Sequence, residues 1–258
     1  MSAAEIVKPD RVEMILLART LCVPVERLAY LADLPDEELR AFRKQVSKAL
    51  FDANSHGIAR LARVSGIVPV AVMANVAQRS RSALFVASFA RVLDLSKAVG
   101  VAQRLRPPLL AEVAAELDPA EVRTIVGALP PALIVNVAVE LQARADWMTL
   151  ANMVGHLPWE TVARALAELG DVALVQTSNL VGDAALRNLL VELTPVERIA
   201  GLVAAVAEHN LWTEAAAAIG HLPEDKLLAA TKAAAALGPS EHASFAALIA
   251  NARNEQES

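Results

Sequence analysis

Asp52, Ser55 and His56 come nearest to a catalytic set, since a carboxylate, a hydroxyl and an imidazole are the parts of a nucleophilic triad. Their spacing argues against that chemistry. All three fall within one or two helical turns, where side chains seldom face one another as a triad requires, and no G-x-S-x-G turn presents the serine. The five histidines, His56, His156, His209, His221 and His242, form no H-E-x-x-H or other short ligand pair, so no metal or other cofactor is expected. Gly66 and Gly100 stand alone, and no glycine-rich phosphate loop occurs. Cys22 is the only cysteine, which excludes an internal disulfide and a cysteine-cluster metal site; beside Leu21 it reads as a small buried hydrophobe. These residues point away from an enzyme.

Charge is the stronger functional signal. The net charge of −5 conceals three sections. Residues 1–39 hold 4 basic and 8 acidic residues, residues 40–110 hold 12 basic residues against Asp52 and Asp94, and residues 111–258 hold 8 basic and 19 acidic residues. A concentrated excess of one sign repels itself unless a counter-charge offsets it. The acidic remainder of the chain or a second copy would supply one internally, leading to self-association in the second case. An acidic protein partner, nucleic acid or an anionic lipid surface would supply one externally. Nucleic acid is disfavoured. The basic section has only Phe42, Phe51, Phe85 and Phe89 as aromatics and no basic–aromatic interleaving, and the second helix of any helix-turn-helix, residues 69–79, is almost wholly apolar. Arg79, Arg81, Arg104 and Arg106 fall at helix ends and are the expected partner contacts. Trp159, at a helix start among acids, is a fifth candidate contact.

The elements that must position these residues are helices. Hydrophobic residues make up 55% of the chain but aromatics only 3%, so Ala, Leu and Val carry the apolar content, as suits helix more than strand. Nearly all of the 13 prolines stand just ahead of an apolar helical pattern, among them Pro24, Pro35, Pro69, Pro119, Pro131, Pro158, Pro195, Pro223 and Pro239. Proline suits a first helical turn, where its missing N–H would be unpaired anyway. Acids follow several of them, as at Asp36-Glu37-Glu38, Glu160 and Glu224-Asp225, complementing the positive end of the helix dipole. The pattern predicts short helices of about 10–14 residues, with the segment from Asp36 to Asn54 as the longest and a polar tail that frays from Asn251.

The helical pattern repeats. Trp147 aligns with Trp212, and Gly155-His156-Leu157-Pro158 with Gly220-His221-Leu222-Pro223, at one shared offset of 65 residues. A weaker copy upstream puts Phe85 in the tryptophan position and Leu95-Ser96 in the Leu-Pro position. The expected organisation is an N-terminal helical cap over residues 1–67, three degenerate multi-helix repeats at about 68–129, 130–194 and 195–250, and a tail at 251–258.

The run from Glu116 through Asp118-Pro119-Ala120-Glu121 and Leu129-Pro130-Pro131 to Leu141 carries a resemblance. Short helices, each opened by Leu-Pro or Asp-Pro, resemble the cytoplasmic N domain of MgtE-type magnesium transporters and the related pattern in the middle domain of FliG. The resemblance spans about residues 110–237 and implies an all-α, right-handed superhelical solenoid of short helices, of the ARM/HEAT kind. It carries over no metal-binding residues, because the acids here are scattered along the helix starts.

Together these readings predict a non-enzymatic interaction scaffold with a charge-polarised surface, whose partner is an acidic protein or a second copy of the chain. The alternative is a binding module for an apolar ligand or membrane surface, suggested by the mean hydropathy of +0.40 and by Ala/Val-rich stretches that need burial. The N-terminus lacks the basic-then-apolar order of a signal peptide, and the longest apolar runs fall short of the ~20 residues that span a bilayer. A cytoplasmic location is the resulting expectation.

Overall fold

The computed structural model describes residues 12–21, 23–35, 38–39, 41–43, 45–46, 49, 68–80 and 83–256. Among the described residues the chain is all-helical, with no strand. Most of the expected helix over 36–54, together with Asp52, Ser55, His56, Cys22, Gly66 and Arg81, lies outside them. The chain divides into two compact units, Met1–Glu140 and Leu141–Ser258.

The first unit opens with helix α1 (Val12–Leu21) and a 3-10 helix (Val25–Leu31). Met14, Leu17, Ala18, Leu28 and Leu39 form a separate small core there, beside which buried Glu13 accepts a hydrogen bond from Arg43 Nε at 3.1 Å. Among the described residues beyond 67 come α2 (Val70–Arg79), α3 (Ala83–Val92), α4 (Leu95–Ala102), α5 (Pro107–Ala115) and α6 (Pro119–Gly127), and then α7 (Pro131–Ala143), which runs across the division. Within this unit α2 packs on α4, α3 on α5 and α4 on α6. Their shared core includes Met73, Val86, Val101, Leu105, Leu109 and Val113, with Phe85 and Phe89 against it. Each large side chain buried there contributes about 2 kcal/mol.

The second unit holds α8 (Trp147–Val154), α9 (Trp159–Glu168), α10 (Asp171–Leu180), α11 (Ala184–Leu193), a one-turn 3-10 helix (Val196–Arg198), α12 (Ile199–Glu208), α13 (Trp212–Ile219), α14 (Glu224–Leu237) and α15 (Pro239–Gln256). The same spacing recurs, with α8 on α10, α10 on α12, α11 on α13, α12 on α14 and α13 on α15, and α10 also packs on α13 and α14 on α15. Ile199, Val203, Val206, Leu211, Ile219, Ala234 and Phe245 form a core, and Trp212 packs against it. Trp147 is buried. At 18 residues α15 is the longest described helix, and it continues past Asn251 to Gln256.

Proline marks the helix starts as expected. Pro69, Pro158 and Pro223 are the residues just before α2, α9 and α14, and their carbonyls accept the opening hydrogen bonds from Val72, Thr161 and Leu227. Pro107 begins α5 within its first turn. The helix ends are equally regular. Ala145 and Asn210, 65 positions apart, both adopt a left-handed φ of 53°. Asp146 N–H then donates to Leu141 at 2.9 Å and Leu211 N–H to Val206 at 2.8 Å. These bonds satisfy terminal carbonyls after α7 and α12, a helix-stop arrangement in which the left-handed residue turns the chain back. The two Gly-His-Leu-Pro segments join α8 to α9 and α13 to α14.

Candidate functional site

A glutamine builds the corner that carries the predicted arginines. Gln78, in the last turn of α2, accepts a hydrogen bond from the backbone N–H of Arg106 through its Oε1 at 2.8 Å. Arg106 directly precedes α5 and has no side-chain cap of its own, so Gln78 supplies an acceptor across 28 residues. That bond seats Arg79, the final residue of α2, at the same corner as Arg106. Arg104 lies two residues before Arg106, and its Nη1 donates to the Gly100 carbonyl at 2.8 Å. Gly100 lets α4 approach α2 closely: a Cβ there would stand 3.0 Å from Val70 Cγ1.

Arg79, Arg104 and Arg106 are all exposed, and among the described residues no carboxylate pairs with any of them. The structure thus brings three of the four predicted arginines to one corner; Arg81 is outside the described residues. Leading up to Arg79, α2 presents Val72 and Val76, which are 49% and 58% exposed. Positions 72, 76 and 79 share one helix face, so an exposed apolar stripe ends at Arg79.

The second unit contains a corner of the same construction with mixed charge. Gln142 Oε1, in the last turn of α7, accepts the N–H of Gly170, the residue preceding α10, at 2.6 Å and again across 28 residues. The residue two before Gly170 is exposed Glu168, where the first corner has Arg104. Asp171 follows Gly170 and is paired with Arg198 Nε at 2.7 Å. The helix that ends at this corner, α9, begins with Trp159, which is 57% exposed, followed by exposed Glu160. An indole this open beside a carboxylate can stack on a guanidinium and pair with it at once.

Several interactions went unseen in the sequence. Arg198 donates from Nη1 to the Leu166 carbonyl and from Nη2 to the Leu169 carbonyl as well as binding Asp171, and so ties the end of α9 to the start of α10. Buried Lys226 donates from Nζ to the carbonyls of Val191 at 2.7 Å and Glu192 at 3.0 Å, placing a positive charge at the C-terminal end of α11. The recurrence of Gln78 and Gln142 at nearly the repeat offset was the available signal for the two corners.

Among the described residues no group of three or more His, Cys, Asp or Glu side chains is close enough to hold a metal, and no helix is long and apolar enough to cross a membrane. Compared with known proteins, the chain matches no family model, no curated protein and no solved structure.

Proposed function

We propose that this protein is a non-enzymatic interaction scaffold, a right-handed superhelix of short helices in three degenerate repeats, whose basic corner docks an acidic protein surface. The single observation that carries the docking site is the grouping of Arg79, Arg104 and Arg106 without carboxylate partners among the described residues, at the end of the exposed Val72–Val76 stripe. An apolar centre with an arginine rim is the composition of a protein interface, where arginine is enriched and lysine depleted.

The superhelix is supported by the packing of many helices on the one two places ahead, such as α2 on α4 and α12 on α14, which is how a solenoid propagates a core between neighbours. The twin glutamine corners and twin left-handed residues support the repeat. The MgtE-type and FliG-like resemblance agrees with such an architecture. No metal or cofactor role is assigned.

Exposure of Val72 and Val76 favours a second reading, docking onto a membrane surface or apolar ligand. Capture of partners on the immobilised full chain, at about 0.05 M and about 0.5 M salt, separates the two. A defined protein retained in stoichiometric amount and released by the higher salt supports the scaffold. Retention of lipid alone, unaffected by salt, replaces it with the second reading.

A further inference from the structure

We propose that the second unit binds a small zwitterion, a free α-amino acid, where α8 and α10 end and α11 and α13 begin. Arg187 takes its carboxylate, and Glu214, Gln176 and Thr177 take its ammonium group. The site is separate from the basic corner and does not depend on it.

Unpartnered polar atoms gather at this end of the unit. Buried polar side chains are nearly always hydrogen-bonded, so a concentration of exceptions points to a further binding partner. Gln176 and Thr177 are 4% and 6% exposed, and neither Gln176 Oε1 nor Thr177 Oγ1 has a hydrogen-bond partner among the described residues. His156 Nδ1 and Arg187 Nε are buried and unpartnered as well. Glu214, in the first turn of α13, is 5% exposed, and its carboxylate has no partner among the described residues.

The helix order brings these groups together. Gln176 and Thr177 lie in the last turns of α10, and the Val181 N–H just beyond donates to the Thr177 carbonyl at 3.2 Å. Arg187, in the first turn of α11, donates from Nη1 to the Val181 carbonyl at 3.0 Å, which sets its guanidinium at the end of α10. The end of α8 meets the same place: a Cβ on Gly155, beside His156, would lie 2.8 Å from Leu186 Cδ1. The start of α12 lies against the start of α10, where a Cβ on Gly201 would stand 2.7 Å from Asp171 Oδ2, and both helices have 10 residues. The chain then reverses through residues 209–211 into α13, which packs on α10. The first turn of α13, with Glu214, therefore falls beside the last turns of α10.

Arg187 and Glu214 bring opposite charges to this end of the unit, yet they form no ion pair with each other. A buried charge is costly unless it is paired. A ligand carrying an ammonium beside a carboxylate pairs both at once, through a charge-assisted bond at each. The three N–H donors of the ammonium match three acceptors, the Glu214 carboxylate, Gln176 Oε1 and Thr177 Oγ1. A molecule with only one of the two charges leaves the other protein charge unpaired. A few convergent polar groups of this kind orient a small ligand.

Calorimetric titration of the full chain tests this, with each standard α-amino acid and with ethylamine and propionate as the two half-molecules. At least one amino acid binds with a Kd of about 1 mM or below, and each half-molecule binds at least about tenfold more weakly. E214Q preserves the shape of the side chain and weakens that binding at least about tenfold. T177V removes only a hydroxyl. It also weakens binding, while the thermal midpoint of the ligand-free protein stays equal or rises, since that hydroxyl has no protein partner to lose. The proposal is overturned if no amino acid binds at about 10 mM, or if either half-molecule binds as tightly as the amino acid. Binding that E214Q and T177V both leave unchanged overturns it as well. Loss of partner capture in R104E/R106E with amino-acid binding intact keeps the two sites distinct.

Discussion

Gln142 reaches across 28 residues to accept the backbone N–H of Gly170 at 2.6 Å, and Gln78 does the same for Arg106 at 2.8 Å. In both cases a side chain in the last turn of one helix caps the start of another. Replacing either glutamine by alanine leaves a helix-start N–H to water. Q142A and Q78A are each expected to lower unfolding free energy by about 1 kcal/mol in urea denaturation. Q78A also loosens the seat of Arg106, so partner binding falls while Q142A leaves the basic corner intact.

Arg198 holds Asp171 and two carbonyls with one planar guanidinium. Lysine keeps the charge but cannot reach all three acceptors. R198K is expected to cost about 2 kcal/mol by chemical denaturation. Gly201 tests the same cluster from the other side, since a Cβ there would lie 2.7 Å from Asp171 Oδ2. G201A displaces that carboxylate. A double-mutant cycle of G201A with R198K is expected to be non-additive, each change removing part of one network.

Ala145 holds a φ of 53° with a side chain that disfavours it, whereas Asn210 in the matching place tolerates that conformation. Relief of this strain exceeds the added chain entropy of glycine. A145G is expected to raise stability by about 0.5–1 kcal/mol in thermal unfolding, and N210G to change it less.

Trp159 stands largely in solvent at the head of α9. W159A is expected to change folding stability by less than about 0.5 kcal/mol. Its effect falls on partner binding. A large loss of thermal stability in W159A would place the indole in the core and remove it from the contact surface.

The helical class was legible in the sequence because its signals are local. Pro69, Pro107, Pro158 and Pro223 mark helix starts through the restrictions of their own rings, and Gly155-His156-Leu157-Pro158 reappears 65 residues on as the same connection. The exposed helix-end positions of Arg79, Arg104 and Arg106 followed from the same boundaries. What joins them did not. A glutamine in a final turn resembles any solvated polar residue until the fold brings another helix start beside it, and Gln78 meets Arg106 only through tertiary packing. Arg198 and Lys226 were hidden for a related reason. Their partners include backbone carbonyls at helix ends, which have no sequence identity to recognise. The polar composition after Asn251 suggested fraying, yet α15 continues to Gln256, since Ala, Arg, Glu and Gln there are good helix formers.

The most direct test of the basic corner is capture with two charge-matched variants of the full chain at about 0.05 M salt. R104E/R106E reverses the corner, while R123E/K232E makes the same change in net charge at two other exposed positions. With both variants folded by circular dichroism, the partner retained by wild type is expected to be lost from R104E/R106E and kept by R123E/K232E. Equal retention by the two variants would contradict the assignment of the contact to Arg104 and Arg106.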